Sequence, residues 1–224
     1  MTLPSLHTPT PAVAAVLDRI RRIGVIAVVR APDADTAIAA GVALVTGGVT
    51  GIEITFSTPD APRVIRELSD RLGDAALVGA GTVVTQEHAR LAADAGARFL
   101  VSPGTTAELA ASMKDTGLAV MTGALTPSEV MHALALRTDV VKIFPASLGG
   151  PAYLTALRGP FPDAPLMPTG GVRPDNVAEW VSAGAVALGA GGDLVPASAL
   201  ASGDMAEIER RARAFSSAWT KATR

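Results

Sequence analysis

The chain has 224 residues, of which 49% are apolar and 18% are charged, and its formal net charge is −2. These values predict one globular domain with a large core, and they give no electrostatic case for nucleic-acid binding. Cysteine is absent, which excludes disulfide bonds and thiolate metal sites. The histidines His7, His88 and His132 do not have the spacing of metal ligands. We therefore expect a protein that needs no metal or other cofactor.

The first residues differ in composition from the rest of the chain. Residues 1–11 are rich in Pro and Thr and lack the basic start and apolar stretch of a signal peptide. We interpret them as a flexible N-terminal tail before a single domain at residues 12–224. No apolar run approaches the ~20 residues that a membrane span needs. We expect no membrane partner and a cytoplasmic location.

From residue 12 onward, short apolar runs alternate with segments of helical spacing. A leading helix is predicted at residues 12–22. Strands are predicted at residues 25–30, 51–55, 77–82, 98–102, 118–122, 140–145, 166–169 and 185–190. Helices are predicted at residues 33–46, 60–72, 85–95, 106–116, 151–158, 174–183 and 205–222, and a further helix starts at Thr126. Asp33, Thr85 and Thr126 stand where helix caps are expected.

This alternation predicts the fold class. Strands that alternate with helices in one domain predict a parallel α/β sheet, and eight such units predict a closed (β/α)8 TIM barrel with an extra N-terminal helix. An open doubly wound sheet is the competing architecture. No predicted strand is followed by the Gly-x-Gly-x-x-Gly pattern of dinucleotide-binding sheets. In a barrel, polar residues at the C-terminal ends of strands are candidates for function.

The sixth predicted strand, residues 140–145, contains one lysine among apolar residues. Burial of an unpaired ammonium group is costly and favours the neutral amine, which is a nucleophile. Lysine occurs only at Lys114, Lys142 and Lys221 in a chain with 19 Lys and Arg residues, so a lysine at this position suggests amine chemistry. The alternative is a buried ion pair that is purely structural.

The second predicted strand contains a carboxylate, Glu53, between Ile52 and Ile54. Because strand side chains alternate between faces, Glu53 faces the barrel interior if its two neighbours face the helices. The same alternation puts Lys142 and Phe144 on one face, so Glu53 and Lys142 can share a pocket. An acid or base beside an amine is what Schiff-base chemistry requires.

Other strand ends also carry polar or glycine residues. The polar ones are Arg30, Thr82, Ser102 and Thr169. Glycine-rich loops follow strands seven and eight, where barrels of this type most often hold phosphate on backbone N–H groups. The candidate phosphate-binding residues are Gly170, Gly171, Gly191 and Gly192. Tight turns without a ligand are the alternative.

Six blocks of the sequence together resemble one enzyme family. They read IEITF at 52–56, GAGTV at 79–83, SPG at 102–104, VKIFP at 141–145, GPFP at 159–162 and PTGGV at 168–172. They resemble the 2-dehydro-3-deoxy-phosphogluconate aldolases, a family that includes the bifunctional 4-hydroxy-2-oxoglutarate aldolases. The resemblance runs from about residue 25 to the end and keeps the order of the blocks.

The resemblance implies a metal-independent class I aldolase, a lyase, with a (β/α)8 barrel and usually a homotrimeric assembly. Lys142 matches the Schiff-base lysine, and Glu53 matches the general acid/base, which works partly through a bound water. Thr82 and Pro103 match residues around the pyruvate half of the substrate. Gly170 and Gly171 match part of the phosphate site. Phe144 and Thr169 complete the residues that we expect to contact the substrate.

Three departures from the family pattern bear on the substrate. Many members have an arginine at the position of Ser57 that holds the substrate carboxylate, and Arg30 is the remaining candidate for that role. Many have proline where this chain has Thr122. Many have a phosphate-binding serine at the position of Gly192, which offers only its backbone N–H. Related phosphogalactonate aldolases also lack the first arginine.

The leading hypothesis is cleavage of 2-dehydro-3-deoxy-6-phosphogluconate to pyruvate and glyceraldehyde 3-phosphate through a lysine Schiff base. A further candidate reaction is cleavage of 4-hydroxy-2-oxoglutarate to pyruvate and glyoxylate. Three alternatives are a 2-dehydro-3-deoxy-6-phosphogalactonate aldolase, a phosphosugar isomerase or epimerase on the same barrel, and a binding protein without catalysis. Imine formation with pyruvate distinguishes an aldolase from the last two.

Overall fold

The described part of the chain starts just before a helix. The computed structural model describes residues 8–224, so most of the predicted tail at residues 1–11 lies outside the described residues. Helix α1, Pro11–Ile23, begins one residue earlier than predicted. The reason is local, because the Thr10 side chain accepts the N–H of Val13 at 3.3 Å and proline suits the first turn.

Strands and helices then alternate as predicted. The strands are β1 Val25–Val29, β2 Gly51–Thr55, β3 Leu77–Gly81, β4 Phe99–Val101, β5 Ala119–Ala124, β6 Val140–Ile143, β7 Leu166–Pro168 and β8 Leu188–Ala190. The remaining helices are α2 Ala34–Thr46, α3 Ala61–Leu72, α4 Gln86–Asp94, α5 Ala107–Lys114, α6 Pro127–Ala135, α7 Gly150–Arg158, α8 Val177–Ser182, α9 Ala197–Ser202 and α10 Met205–Ala222. Short 3-10 turns occur at Gly73–Ala75 and Ala146–Leu148.

The eight strands form one parallel sheet that closes into a barrel. Their order is β7-β6-β5-β4-β3-β2-β1-β8, and neighbouring strands in this order pair in parallel. A parallel bridge between Thr169 and Gly189 joins the two ends of this order. The predicted (β/α)8 barrel with its extra N-terminal helix is therefore confirmed, and an open doubly wound sheet is excluded.

Apolar side chains pack in two clusters, one inside the barrel and one between the barrel and its helices. The inner cluster combines residues from the N-terminal ends of strands, such as Leu77 and Phe99, with the apolar face of α1. Helix α1 thus closes the N-terminal end of the barrel. Ile52 and Ile54 belong to the outer cluster, so alternation along β2 turns Glu53 into the barrel. The C-terminal end is left for functional side chains.

The three predicted caps are confirmed. Asp33, Thr85 and Thr126 precede α2, α4 and α6, and each side chain accepts a backbone N–H three residues along. Thr126 and Glu129 form a reciprocal capping box. Among the described helices, none is both long and apolar enough to span a membrane.

Helix α8 is shorter than predicted. It begins at Val177 rather than at residue 174. The Asn176 side chain accepts the N–H of Arg173 at 2.8 Å and donates to the carbonyl of Gly171 at 2.9 Å. These two bonds hold the preceding residues in a turn, so the helix cannot start earlier.

Other element ends and one helix also differ from the prediction; strand β5, for example, runs to Ala124 rather than to residue 122. Strand β8 begins at Leu188 rather than at residue 185, because the N–H of Ala185 still bonds to the carbonyl of Trp180 in α8 at 3.1 Å. Strand β6 ends at Ile143, before Pro145, which has no N–H for a ladder. Helix α9 was not predicted, since its six residues show no helical pattern of large apolar side chains.

Candidate active site

A pair of charged side chains lies buried in the barrel interior. Glu53 comes from β2 and Lys142 from β6, two strands that are separated by three strands in either direction around the barrel. Lys142 Nζ lies 3.5 Å from Glu53 Oε1, and the two side chains are 6% and 1% exposed. The structure thus brings together, across the barrel, the two residues that the sequence singles out.

The space for the Glu53 carboxylate depends on a glycine in the neighbouring strand. Thr55 and Gly81 are paired in register at the ends of β2 and β3. A Cβ atom at Gly81 would lie 2.0 Å from Glu53 Oε1. Any side chain at this position would therefore displace the carboxylate. Gly81 lies in the block at residues 79–83 that carries the family resemblance, but the sequence alone does not show that this glycine makes room for Glu53.

Two buried oxygen atoms at the site have no hydrogen-bond partner among the described residues. They are Glu53 Oε2 and Thr169 Oγ1. The Thr169 hydroxyl also depends on a glycine, because a Cβ at Gly189 would lie 2.2 Å from Oγ1. Buried polar atoms nearly always form hydrogen bonds, so these two oxygens are available to polar groups of a ligand.

The loops after β4 and β6 lie close to Lys142. Its Nζ lies 5.3 Å from the centre of the Phe144 ring. Gly123 pairs in register with Lys142, and a Cβ there would lie 2.0 Å from the carbonyl oxygen of Pro103. Thr105 fixes this approach by donating to the Gly123 carbonyl at 2.7 Å. Pro103 and Phe144 are thereby placed at the rim of the barrel on the Lys142 side.

Arg30 lies at the end of β1, next to Ser57. Its Nε donates to Ser57 Oγ at 2.9 Å. Ser57 Oγ lies 2.8 Å from the hydroxyl oxygen of Thr55, the last residue of β2. Ser57, at the position where the family resemblance implies an arginine, is therefore in direct contact with Arg30, the candidate for the role of that arginine.

Thr82 follows β3 in an unusual backbone conformation. Its φ is +52°, a region that β-branched residues rarely adopt and that costs about 1–3 kcal/mol. Beside it, the rings of Phe56 and His88 stack with centroids 4.1 Å apart and planes within 3°. His88 lies in a predicted helix and lacks the spacing of a metal ligand, and no sequence signal indicates this stack.

The two predicted glycine loops are neighbours, since the Thr169–Gly189 bridge joins the strands that precede them. Gly170 and Gly171 have φ values of +97° and +74°, which favour glycine. Beyond β8, Gly191 and Gly192 have open space where a Cβ would be. Within residues 8–224, no hydrogen bond uses the backbone N–H of any of these four glycines. This arrangement can bind an anion.

Within residues 8–224, no group of three or more His, Cys, Asp or Glu side chains is arranged to hold a metal ion. The chemistry available at the site is that of one amine, one carboxylate, several hydroxyls and backbone N–H groups. An amine beside a proton donor and acceptor can form and release an imine with a carbonyl compound.

Comparison with known proteins identifies the family. Residues 16–211 match the aldolase family model described as KDPG and KHG aldolase. The chain belongs to this family. Members of this family are lyases, so the chain is an aldolase of the lyase class.

Individual relatives agree with this assignment. The chain is 37% identical over 194 residues to a 2-dehydro-3-deoxy-phosphogluconate aldolase of Treponema pallidum (strain Nichols), covering 86% of this chain and 92% of the relative. It is 34% identical to a 2-dehydro-3-deoxy-6-phosphogalactonate aldolase of Escherichia coli (strain K12), covering 77% and 85%. A KDPG aldolase structure from Legionella pneumophila, with pyruvate captured as a covalent carbinolamine, is 32% identical with a TM-score of 0.79, covering 86% and 93%.

Proposed function

We propose that this aldolase cleaves 2-dehydro-3-deoxy-6-phosphogluconate to pyruvate and glyceraldehyde 3-phosphate through a Schiff base on Lys142. The observation that carries the proposal is the buried contact of 3.5 Å between Lys142 Nζ and Glu53 Oε1. A purely structural ion pair would satisfy both carboxylate oxygens, whereas Glu53 Oε2 has no partner among the described residues. The covalent pyruvate adduct of the Legionella relative supports the same chemistry.

The proposed reaction uses one nucleophile and one proton carrier. The neutral Lys142 amine attacks the C2 ketone and forms a carbinolamine, whose hydroxyl group takes a proton from Glu53 and leaves as water to give an iminium ion. Glu53 then removes the C4 hydroxyl proton, the C3–C4 bond breaks, and its electron pair moves into the iminium to form an enamine. The aldehyde leaves, and Glu53 returns the proton to C3. Hydrolysis of the resulting imine releases pyruvate.

The surrounding residues are assigned to the parts of the substrate. Arg30 binds the carboxylate, because a guanidinium group can form two parallel hydrogen bonds with it. Thr82, Pro103 and Phe144 surround the pyruvate half. Thr169 offers its buried, unpartnered hydroxyl to a substrate hydroxyl group.

The phosphate is assigned to the paired glycine loops after β7 and β8. Gly170, Gly171, Gly191 and Gly192 carry N–H groups that take part in no hydrogen bond among the described residues. Backbone N–H groups can cradle a phosphate without a cation. Gly192 has no hydroxyl to add, so phosphate binding rests on the backbone.

A specific contact keeps a second substrate in consideration. Ser57 stands where the resemblance implies an arginine in many members of the family, and its hydroxyl accepts from Arg30 Nε at 2.9 Å. One relative is named as a phosphogalactonate aldolase. Cleavage of 2-dehydro-3-deoxy-6-phosphogalactonate is therefore the second candidate, and 4-hydroxy-2-oxoglutarate is a further substrate to test.

We propose that residues 12–224 act as one catalytic domain and assemble as a homotrimer, in keeping with the family resemblance. Exposed apolar side chains, including Met131 at 54% and Leu148 at 72%, give such an assembly surface to bury. Sedimentation or light scattering measures the assembly directly. The cytoplasmic location stays a prediction.

Trapping with borohydride tests the Schiff base. Incubation with pyruvate and borohydride is expected to add one reduced pyruvyl group, which peptide mapping places on Lys142. Lys142→Met removes the amine with a small change of volume and is expected to abolish labelling, although Lys114 and Lys221 remain. Labelling of Lys114 or Lys221, or no labelling at all in the parent protein, contradicts the proposal. A panel of the three named substrates then ranks kcat/KM for each.

A further inference from the structure

A chain of three hydrogen bonds links the Arg30 side chain to its own strand. Arg30 Nε lies 2.9 Å from Ser57 Oγ, which lies 2.8 Å from Thr55 Oγ1. Thr55 Oγ1 lies 3.0 Å from the carbonyl oxygen of Val29, the residue before Arg30. The chain therefore crosses from β1 to β2 and returns, which closes a ring around the base of the arginine.

The direction of every bond in this ring is determined. The guanidinium group can only donate, and the Val29 carbonyl can only accept. Thr55 has one hydroxyl proton, which it gives to that carbonyl, so Ser57 must donate its proton to Thr55. Ser57 Oγ in turn accepts from Arg30. A hydrogen-bond chain with a single direction is cooperative, so each bond strengthens the next.

This ring uses the Nε–H of Arg30 and leaves both Nη nitrogens able to donate hydrogen bonds to a ligand. Within residues 8–224, no ion pair involves Arg30. Val28 pairs in register with Glu53, and alternation along the strand places Arg30 on the same face as Val28, one layer nearer the barrel mouth. The edge formed by the two Nη nitrogens is the edge that binds a carboxylate with two hydrogen bonds.

We propose that Ser57 is a positioning residue, which with Thr55 holds Arg30 by its Nε so that both Nη nitrogens face the substrate carboxylate. The inference rests on the proposed function, since it supposes a 2-keto acid in the barrel. It explains how a serine can replace an arginine at this position without loss of the carboxylate site. In this chain the positive charge lies at the end of β1, on Arg30, and the serine orients it.

Pyruvate is the probe, because it carries the carboxylate and the ketone only. Ser57→Ala is expected to raise the pyruvate concentration for half-maximal labelling of Lys142 roughly tenfold, since a hydrogen bond that orients a charged group is lost. The labelling rate at saturating pyruvate is expected to change little, because Lys142 and Glu53 are untouched. Ser57→Thr retains the hydroxyl and is expected to keep the parent half-saturation. Thr55→Val, a substitution of similar shape, is expected to behave like Ser57→Ala.

A double-mutant cycle separates positioning from a general structural effect. Arg30→Ala is expected to raise the half-saturation by itself, and Ser57→Ala added to it is expected to have no further effect. If the parent protein is labelled and Ser57→Ala leaves its half-saturating pyruvate concentration unchanged, the inference is overturned. It is also overturned if Ser57→Ala raises that concentration equally in the parent protein and in Arg30→Ala. No labelling of the parent protein overturns the Schiff-base proposal, which distinguishes the two failures.

Discussion

Gly81→Ala tests whether Glu53 acts from the position in which the structure shows it. The added methyl group would lie 2.0 Å from Glu53 Oε1 and 2.5 Å from its Cδ atom. Gly81 is not among the residues with positive φ, so its backbone can accept alanine. The substitution therefore acts on the carboxylate rather than on the strand.

The size of the effect follows from the contact. Real Cβ atoms essentially never approach another heavy atom within 3.0 Å, so the carboxylate must move by at least about 1 Å. A misplacement of about 1 Å can cost roughly 10²-fold in rate. Overpacking costs about 1–3 kcal/mol, which corresponds to a loss of about 2–12 °C in Tm for a chain of this size. We expect kcat to fall about 100-fold while the protein stays folded at assay temperature.

The assay is steady-state cleavage with pyruvate detection, together with a thermal melt of each variant. Gly104→Ala is the matched control, because a Cβ at this rim glycine meets nothing within 4 Å. We expect it to keep the parent kcat and Tm. A Gly81→Ala enzyme with near-parental kcat would refute the reasoning, since it would mean that the position of Glu53 Oε1 does not matter for the reaction.

Two further predictions concern carboxylates. Glu53→Gln is expected to lower kcat by about 10²–10⁴-fold and to slow exchange of the pyruvate methyl protons with little change in Tm; a purely structural ion pair predicts instead near-normal exchange and a loss of about 3–5 kcal/mol. The second concerns stability against pH. The backbone N–H groups of Thr126 and Leu125 and the Thr126 hydroxyl lower the pKa of Glu129 from its ordinary value of 4.5. The stability that the ionised Glu129 carboxylate adds to the fold is therefore present above pH 4.5 and lost as the pH falls through the lowered pKa. Glu129→Gln keeps an acceptor for the capping box but removes the charge. The unfolding free energy of this variant, measured in urea, is therefore expected to be lower than the parent's at pH 7 and to approach the parent's at pH 3. An equal difference at both pH values would contradict this prediction.

The order of strands and helices could be predicted because it depends on local patterns. Apolar runs of four to six residues between turn residues indicate buried parallel strands, and caps such as Asp33 and Thr126 mark helix starts. The predicted start of α8 was wrong because a side chain forms short-range hydrogen bonds with the backbone before the helix. The two hydrogen bonds of Asn176 delay the start of α8, and no composition or periodicity signals them.

The candidate site could be predicted only in part. Alternation along one strand indicates which face Glu53 and Lys142 occupy, but their separation of 3.5 Å depends on how six other strands close the barrel. The link from Arg30 to Ser57 joins residues 27 positions apart and depends on the register of β1 with β2. The sequence does not give the register of the strands, so it cannot show this contact. From the sequence alone, Ser57 is only a position that lacks the arginine of the family pattern.

Glycines opposite the candidate site residues explain how a barrel interior can hold polar side chains at all. A (β/α)8 barrel fills its interior with layers of side chains, which leaves no room for a substrate. Here Gly81 makes room for Glu53, and Gly189 makes room for the Thr169 hydroxyl. Gly123 lets the Pro103 carbonyl approach β5 beside Lys142. The C-terminal part of the barrel interior therefore combines polar groups with glycines on neighbouring strands, and the reacting groups can lie in the space that each glycine leaves.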